Sequence, residues 1–188
     1  MATLFLSLAL LAISFLVVVA AYGAHRFLLG ARELRRYSGK MLVTCPETGK
    51  IVAVNVASSR AALAATVGKE HVELSQCTRW PERQDCDQAC LSEIEADPQT
   101  HRVWTIISQW YEGKNCVYCR QPISQLRHLD HPPGLIGQDG KIIEWEKVPA
   151  EKLPEELATA RAVCWNCCVV EGFRQEHAEL VINRPWKH

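Results

Sequence analysis

An uninterrupted apolar run at the N-terminus constrains the fold more than any other feature of the sequence. From Ala2 to Ala24 there is no charged side chain. A helix of about 20 apolar residues is long enough to cross a hydrocarbon core of roughly 30 Å. The run therefore predicts a transmembrane anchor over residues 1–24, retained in the protein as a single-pass span.

Two alternatives to an anchor remain open at this point. A cleaved signal peptide has basic residues before an apolar stretch of about 7–15 residues, whereas no Lys or Arg precedes the run in this sequence. A buried core helix is the second alternative. We favour the anchor because the run is longer than that of a signal peptide and its basic residues follow it.

A basic segment follows the apolar run, over residues 25–40. It contains one acid, Glu33, and its basic residues are Arg26, Arg32, Arg35, Arg36 and Lys40. The positive-inside rule predicts that this side of the membrane is the cytoplasm and that the N-terminus lies outside. A juxtamembrane helix or linker of this charge is also expected to contact anionic lipid headgroups, although the charges alone would serve as a topology signal.

The overall charge limits the classes of function. The 188-residue chain has 21 Lys and Arg against 21 Asp and Glu, so its formal net charge is zero. A general nucleic-acid binder needs an excess of basic side chains, and no nucleic acid is expected as a partner. The sequence contains no H-E-x-x-H, G-x-S-x-G or P-loop motif, so none of these motifs indicates an enzyme.

Beyond residue 40 the patterns predict a small α+β domain of short hairpins and helices, stabilised by metal. Turn sequences at Pro46–Gly49 and at Gln138–Lys141 separate apolar stretches, which predicts two β-hairpins. Val103, Ile106 and Ile107 begin an apolar stripe at helical spacing. Helices are expected over residues 83–96, 100–112, 151–163 and 164–179.

The strongest chemical signal is a pair of C-x-x-C motifs, Cys116 with Cys119 and Cys164 with Cys167. A tight turn of this spacing brings two thiolates within reach of one ion, and two such pairs are the usual ligands of a tetrahedral zinc site. In a cytoplasmic domain, clustered cysteines are more often metal ligands than disulfides. Zinc bound by these four thiolates is therefore the predicted cofactor.

The order of elements around these motifs resembles the treble-clef and zinc-ribbon-like group of four-cysteine zinc-binding modules. A knuckle comes first, then a hairpin signal around Asp139-Gly140, and then a helix predicted to begin at Cys164. The resemblance covers about residues 114–178. We accordingly divide the domain into a cysteine-containing α+β subdomain over residues 41–113 and a zinc-finger-like subdomain over residues 114–188.

A candidate second site comprises Cys45, Cys77, Cys86 and Cys90. Cys86 and Cys90 are four residues apart on a predicted helix, so their sulfurs are expected to face the same way. Cys45 directly precedes a turn, as a knuckle cysteine does. The alternative is that these cysteines are small buried hydrophobic residues.

Several further assignments remain open. Four thiolates also hold iron–sulfur clusters, and Cys164 with Cys167 has the spacing of a redox dithiol. A c-type haem is excluded because neither C-x-x-C motif is followed by His. Cys168 is expected in the core or beside the first site. His128 and His131 are either substitute ligands or ordinary polar residues of a loop.

A closed site of four thiolates has no open coordination position, which is typical of structural rather than catalytic metal sites. The predicted function is therefore structural: a membrane-anchored zinc protein whose cytoplasmic domain acts as an adaptor and holds a protein partner at the membrane. The alternatives are a membrane-associated redox protein and an accessory subunit of a larger membrane complex.

Overall fold

The computed structural model describes residues 2–69, 71–83, 85–123, 126 and 131–180. In this part of the chain the α-helices are α1 (Ala2–Arg36), α2 (Ser58–Thr66), α3 (Leu91–Ala96), α4 (Pro98–His101), α5 (Val103–Tyr111), α6 (Leu153–Thr159) and α7 (Trp165–Glu176). The strands are β1 (Lys40–Thr44), β2 (Ile51–Val56), β3 (Leu74–Cys77), β4 (Gly134–Ile136), β5 (Ile142–Glu144) and β6 (Arg161–Val163). Short 3-10 helices occupy Trp145–Lys147, Ala150–Lys152 and Ala178–Leu180. The predicted mixture of helices and small sheets is confirmed.

Helix α1 is continuous for 35 residues and contains both the apolar run and most of the basic segment. Its stretch Ser7–Arg36 is long and apolar enough to cross a membrane, and the described residues bury none of its apolar window. Length and composition fit a signal sequence or a core helix as well. Arg35 and Arg36 lie in the last turn, where cationic side chains interact favourably with the helix dipole.

The C-terminal part of α1 packs along α2. Gly30 lies so close to α2 that a Cβ atom built on it would be 2.7 Å from Thr66 Cγ2 and 3.1 Å from the carbonyl oxygen of Ala62. Arg26 Nε donates to the carbonyl oxygen of Thr66 at 2.6 Å, which satisfies one of the unpaired carbonyls at the end of α2. The long helix is therefore packed against the domain that follows it, in place of the free linker that was one of the alternatives.

Strands β1, β2 and β3 form an antiparallel sheet in that order. The hairpin predicted around Pro46–Gly49 is confirmed by the pairing of β1 with β2. Because side chains of a strand alternate between the two faces, Leu42 and Ala53 pack into one hydrophobic cluster and Met41 and Val43 into another. Apolar residues cover this sheet on both faces.

The helix predicted to carry Cys86 and Cys90 is wrong in its first half, because α3 covers only Leu91–Ala96. Gln88 has a positive φ of 57°, which a helix does not accommodate. Its side-chain Oε1 accepts the backbone N–H of Leu74 at 2.8 Å. This contact with β3 overrides the local helix preference, so the two cysteines do not share a helix face.

The helix predicted over residues 100–112 is interrupted once. Arg102 is extended, with φ −69° and ψ 128°, and forms an isolated β-bridge with Met41. This residue separates α4 from α5. The apolar stripe of α5 is confirmed, since Val103 and Ile107 are buried.

Strands β5, β4 and β6 form a second antiparallel sheet in that order, and the hairpin predicted around Gln138–Lys141 is confirmed. The helix expected over residues 151–163 is wrong at its end. Helix α6 ends at Thr159, and β6 pairs with β4, with Ala162 opposite Leu135. Ala162 is buried in this pairing, and the burial favours a central strand position over continued helix.

A single hydrophobic cluster connects the two sheets. It contains Leu42 and Ala53 of the first sheet, Leu135 of the second sheet and Ile107 of α5. Residues from both predicted subdomains contribute to this cluster, and the division into residues 41–113 and 114–188 stays a prediction.

Candidate metal centre

The four cysteines of the two C-x-x-C motifs meet at one place. The Sγ atoms of Cys116, Cys119, Cys164 and Cys167 all lie within 4.8 Å of one another, and those of Cys119 and Cys164 are 3.7 Å apart. Sulfurs about 2.3 Å from a central ion form a tetrahedron with edges of about 3.8 Å, whereas the sulfurs of a disulfide are about 2.05 Å apart. The spacing therefore fits four ligands of one ion, and all nine cysteines are free thiols.

A tight turn supplies the first pair of thiols. The backbone N–H of Cys116 donates to the carbonyl oxygen of Gln121, and the N–H of Arg120 donates back to Cys116, both at 2.9 Å. Arg120 closes this turn with a positive φ of 62°. The N–H of Val117 donates to the carbonyl oxygen of Ala162 at 3.0 Å, which fixes the turn to β6.

The start of α7 supplies the second pair. Cys164 is the N-cap residue and Cys167 lies in the first helical turn. The free backbone N–H groups and the dipole at a helix N-terminus stabilise thiolates. Because Cys164 directly follows β6, the strand that fixes the first turn also positions the start of the helix.

Backbone hydrogen bonds favour the thiolate form of Cys116. Burial raises the pKa of Cys116, but backbone N–H groups of Cys164, Cys119 and Tyr118 bond to its sulfur and lower its pKa to about 6. Burial and the neighbouring thiols raise the pKa of Cys167. Like charges in close proximity disfavour one another, and a cation bound among the sulfurs would offset that repulsion.

The centre has a buried side and an exposed side. Cys116 is buried with Ile136 and Val163 in a small hydrophobic cluster, whereas Cys119 is exposed. A ligand shell of this kind limits solvent access from within the domain.

Cys168 is a core residue and does not belong to the group of four. It is buried, and its Sγ would lie 2.5 Å from a Cβ atom built on Gly134. Of the two histidines considered as substitute ligands, His131 stacks on the ring of Trp165, with centroids 4.6 Å apart and planes 12° apart. His128 lies outside the described residues. In the described part of the chain the ligand group contains cysteines alone.

The candidate second set is gathered more loosely. Its four cysteines line one cavity of about 20 Å³: Cys45, Cys77, Cys86 and Cys90. Burial and the charges of the other three thiols raise the pKa of Cys90 to about 11. Among the described residues, only the Cys116 set has all its ligand atoms within 4.8 Å of one another.

The basic residues expected at the membrane surface divide into two groups. Arg26 donates to the carbonyl oxygen of Thr66 at 2.6 Å, and Arg36 donates to that of Glu95 at 3.1 Å. The exposed members are Arg32, Arg35 and Lys40. The sequence analysis did not predict the first two contacts because the partners lie 40 and 59 residues away along the chain.

Arg79 is a further residue that the sequence analysis missed. Its guanidinium group donates to Cys45 Sγ at 3.1 Å and also pairs with Glu47. No motif marks this arginine, and the one signal was its position two residues after Cys77.

The arrangement of the Cys116 set can hold a metal ion and can link the first turn to α7. Comparison of the chain with protein-family models, curated proteins and solved structures found no match.

Proposed function

We propose that this protein is a single-pass membrane protein whose cytoplasmic domain is built around a structural zinc ion and holds a protein partner at the membrane. The observation that carries the proposal is the meeting of Cys116, Cys119, Cys164 and Cys167, whose sulfurs lie within 4.8 Å of one another. Soft thiolate ligands in tetrahedral geometry favour zinc or iron over magnesium, calcium or manganese.

A structural role follows from the number of ligands. Four thiolates occupy every position of tetrahedral zinc and leave none for a substrate. The metal would connect Cys119 to Cys164 across 45 residues of chain. Because the ligands are not held together in the unfolded chain, the free energy of metal binding becomes free energy of folding.

Membrane anchoring is supported by the exposed apolar side chains of α1 and by those that surround its basic end. Phe27 and Leu28 of α1, Leu63 of α2 and Val67, which directly follows α2, are all exposed. These side chains lie near the contact of Arg26 with the end of α2. Apolar groups beside basic ones suit the interface between headgroups and acyl chains. With the basic segment on the cytoplasmic side, the metal-binding domain would lie against the inner membrane surface.

A partner-binding role is supported by the outer face of α7. Val169, Val170 and Phe173 are each about half exposed on the helix that begins with two of the metal ligands. Exposed apolar side chains that are clustered mark interaction surfaces more often than scattered ones do. Metal binding would hold this helix in position for a partner.

The decisive experiment measures metal content and the visible spectrum of the full chain, purified in detergent without oxygen. We expect colourless protein that contains zinc, and we expect Cys116→Ser with Cys119→Ser to lose one zinc ion per chain and to unfold at a lower temperature. Cys168→Ala is the matched control for zinc content, because this buried cysteine lies outside the group of four. Unchanged zinc content and unfolding temperature in the double variant would contradict the proposal.

A redox function is the second candidate, and the exposure of Cys119 favours it, since an electron carrier needs its metal close to the surface. Iron bound to four thiolates would give coloured protein, so the same spectrum separates the two candidates. Reversible oxidation of Cys164 with Cys167 in metal-free protein would indicate a dithiol oxidoreductase instead.

A further inference from the structure

The cysteines outside the first centre also converge, although they come from three separate segments. Cys45 directly follows β1, Cys77 ends β3, and Cys86 and Cys90 lie between β3 and α3. All four line one cavity of about 20 Å³. A cavity needs about 10–15 Å³ to hold one water molecule, so this one has room for a single ion.

The turn that follows Cys45 has the same backbone hydrogen bonds as the turn of the first centre. The N–H of Cys45 donates to the carbonyl oxygen of Lys50, and the N–H of Gly49 donates back to Cys45, both at 2.8 Å. The turn at Cys116 has the two equivalent bonds, both at 2.9 Å. The closing residue is left-handed in each turn, with φ 66° at Gly49 and 62° at Arg120.

The two turns differ at the position of the second thiol. Thr48 stands where the first turn has Cys119. The backbone N–H groups of Glu47 and Thr48 and the side chain of Thr48 bond to the sulfur of Cys45. This turn is therefore arranged to hold one thiolate, and the other three cysteines of the cavity match the remaining positions of a tetrahedron.

Other groups around the cavity complement a centre of negative charge. Arg79 donates to Cys45 Sγ at 3.1 Å and also pairs with Glu47, so its guanidinium group supplies one charge-assisted hydrogen bond to a thiolate at this position. The indole Nε1 of Trp80, a residue that lines the cavity, is buried and has no hydrogen-bond partner in the described part of the chain. Buried donors of this kind normally have an acceptor.

We propose that Cys45, Cys77, Cys86 and Cys90 bind a second zinc-class divalent ion through four thiolates. This site uses none of the ligands of the first centre, so it stands or falls independently of the proposed function. The ion fastens the segment between β3 and α3 to the end of β1. Because these sulfurs lie farther apart than those of the first centre, the ion has to draw them together, and we expect weaker binding than at the first centre.

The test measures zinc per chain by mass spectrometry in the full protein, loaded under reducing conditions without oxygen. We expect two zinc ions in the wild type and in Cys168→Ala, and one in Cys77→Ser with Cys86→Ser. Cys116→Ser with Cys119→Ser also retains one, which separates failure of this site from failure of the first centre. If the wild type contains one zinc ion per chain and the variant Cys77→Ser with Cys86→Ser also contains one, the second site is overturned.

A second measurement on the wild type alone avoids variants that fail to fold. The zinc-loaded protein is treated with a thiol-alkylating reagent at increasing chelator concentration, and peptide mass spectrometry reports which cysteines react. We expect the second set to be protected at first and to become reactive at lower chelator concentration than the Cys116 set. Full reactivity of the second set in zinc-loaded protein, or a disulfide within it, overturns the proposal.

Discussion

Cys116 is the buried member of the four-cysteine group, whereas Cys119 is exposed and Cys164 and Cys167 are intermediate, and several local features surround its sulfur. Its turn is closed by Arg120 at positive φ, and three backbone N–H groups bond to the sulfur. Behind this ligand, Cys168 fills the space above Gly134. At the scale of single residues, the centre depends on close packing as well as on its ligands.

Gly134→Ala tests that packing, because its Cβ atom would lie 2.5 Å from Cys168 Sγ and 3.1 Å from Cys168 Cβ. We expect the variant to lose about 1–3 kcal/mol of unfolding free energy, the usual range for overpacking. Gly172→Ala is the control, since a Cβ atom there meets nothing within 4 Å and alanine is the better helix former by up to about 1 kcal/mol. Chemical denaturation of the full chain in detergent measures both, and equal stability of the two variants would argue against a tight contact.

At the scale of elements, α1 has two parts. Its apolar part is predicted to span the membrane, and its C-terminal part packs against α2 of the folded domain. Its glycines show the difference between the two parts. Gly23 lies in the apolar run, and a Cβ atom there would meet nothing within 4 Å, whereas Gly30 is in direct contact with α2. The long apolar helix is therefore in direct contact with the domain that follows it.

Gly30→Ala is expected to weaken the contact of α1 with α2, with Gly23→Ala as the matched control. Both changes replace a glycine of α1 by the better helix former, a gain of up to about 1 kcal/mol in water, and a Cβ atom at Gly23 meets nothing within 4 Å. We expect Gly30→Ala to be less stable than Gly23→Ala by about 1–3 kcal/mol, because the carbonyl of Ala62 cannot move away without distorting α2. Thermal unfolding followed by circular dichroism measures this, and no difference would mean that the helices separate readily.

At the scale of the whole molecule, the orientation of the chain decides which chemistry its cysteines meet. A cytoplasmic domain keeps its thiols reduced and available to metal, whereas an exported domain would favour disulfides. Orientation depends on the basic residues after the apolar run, of which Arg32, Arg35 and Lys40 are exposed. The predicted metal binding therefore depends on the predicted cytoplasmic location of the domain.

A fluorescent protein fused to the C-terminus tests the topology in bacterial cells, because it becomes fluorescent in the cytoplasm and not after export in unfolded form. We expect fluorescence from this fusion and no activity from a matching alkaline phosphatase fusion, which requires export. Neutralising Arg32, Arg35 and Lys40 should weaken the preference for a cytoplasmic C-terminus. It should leave intact the hydrogen bonds of Arg26 to Thr66 and of Arg36 to Glu95. Phosphatase activity from the unaltered chain would reverse the predicted orientation.

The sequence by itself determined the elements whose signals lie within a few residues of one another. These are the long apolar helix, the two hairpins with their turn sequences, the apolar stripe of α5 and the two C-x-x-C motifs. Each depends on local periodicity, turn preference or ligand spacing, which neighbouring residues specify. The tertiary structure decided what non-local packing controls: the strand β6, the irregular path around Gln88, the contact of Gly30 with α2, and the convergence of cysteines from distant segments. Pairing and burial across tens of residues override local preference, and no pattern within a short window records them.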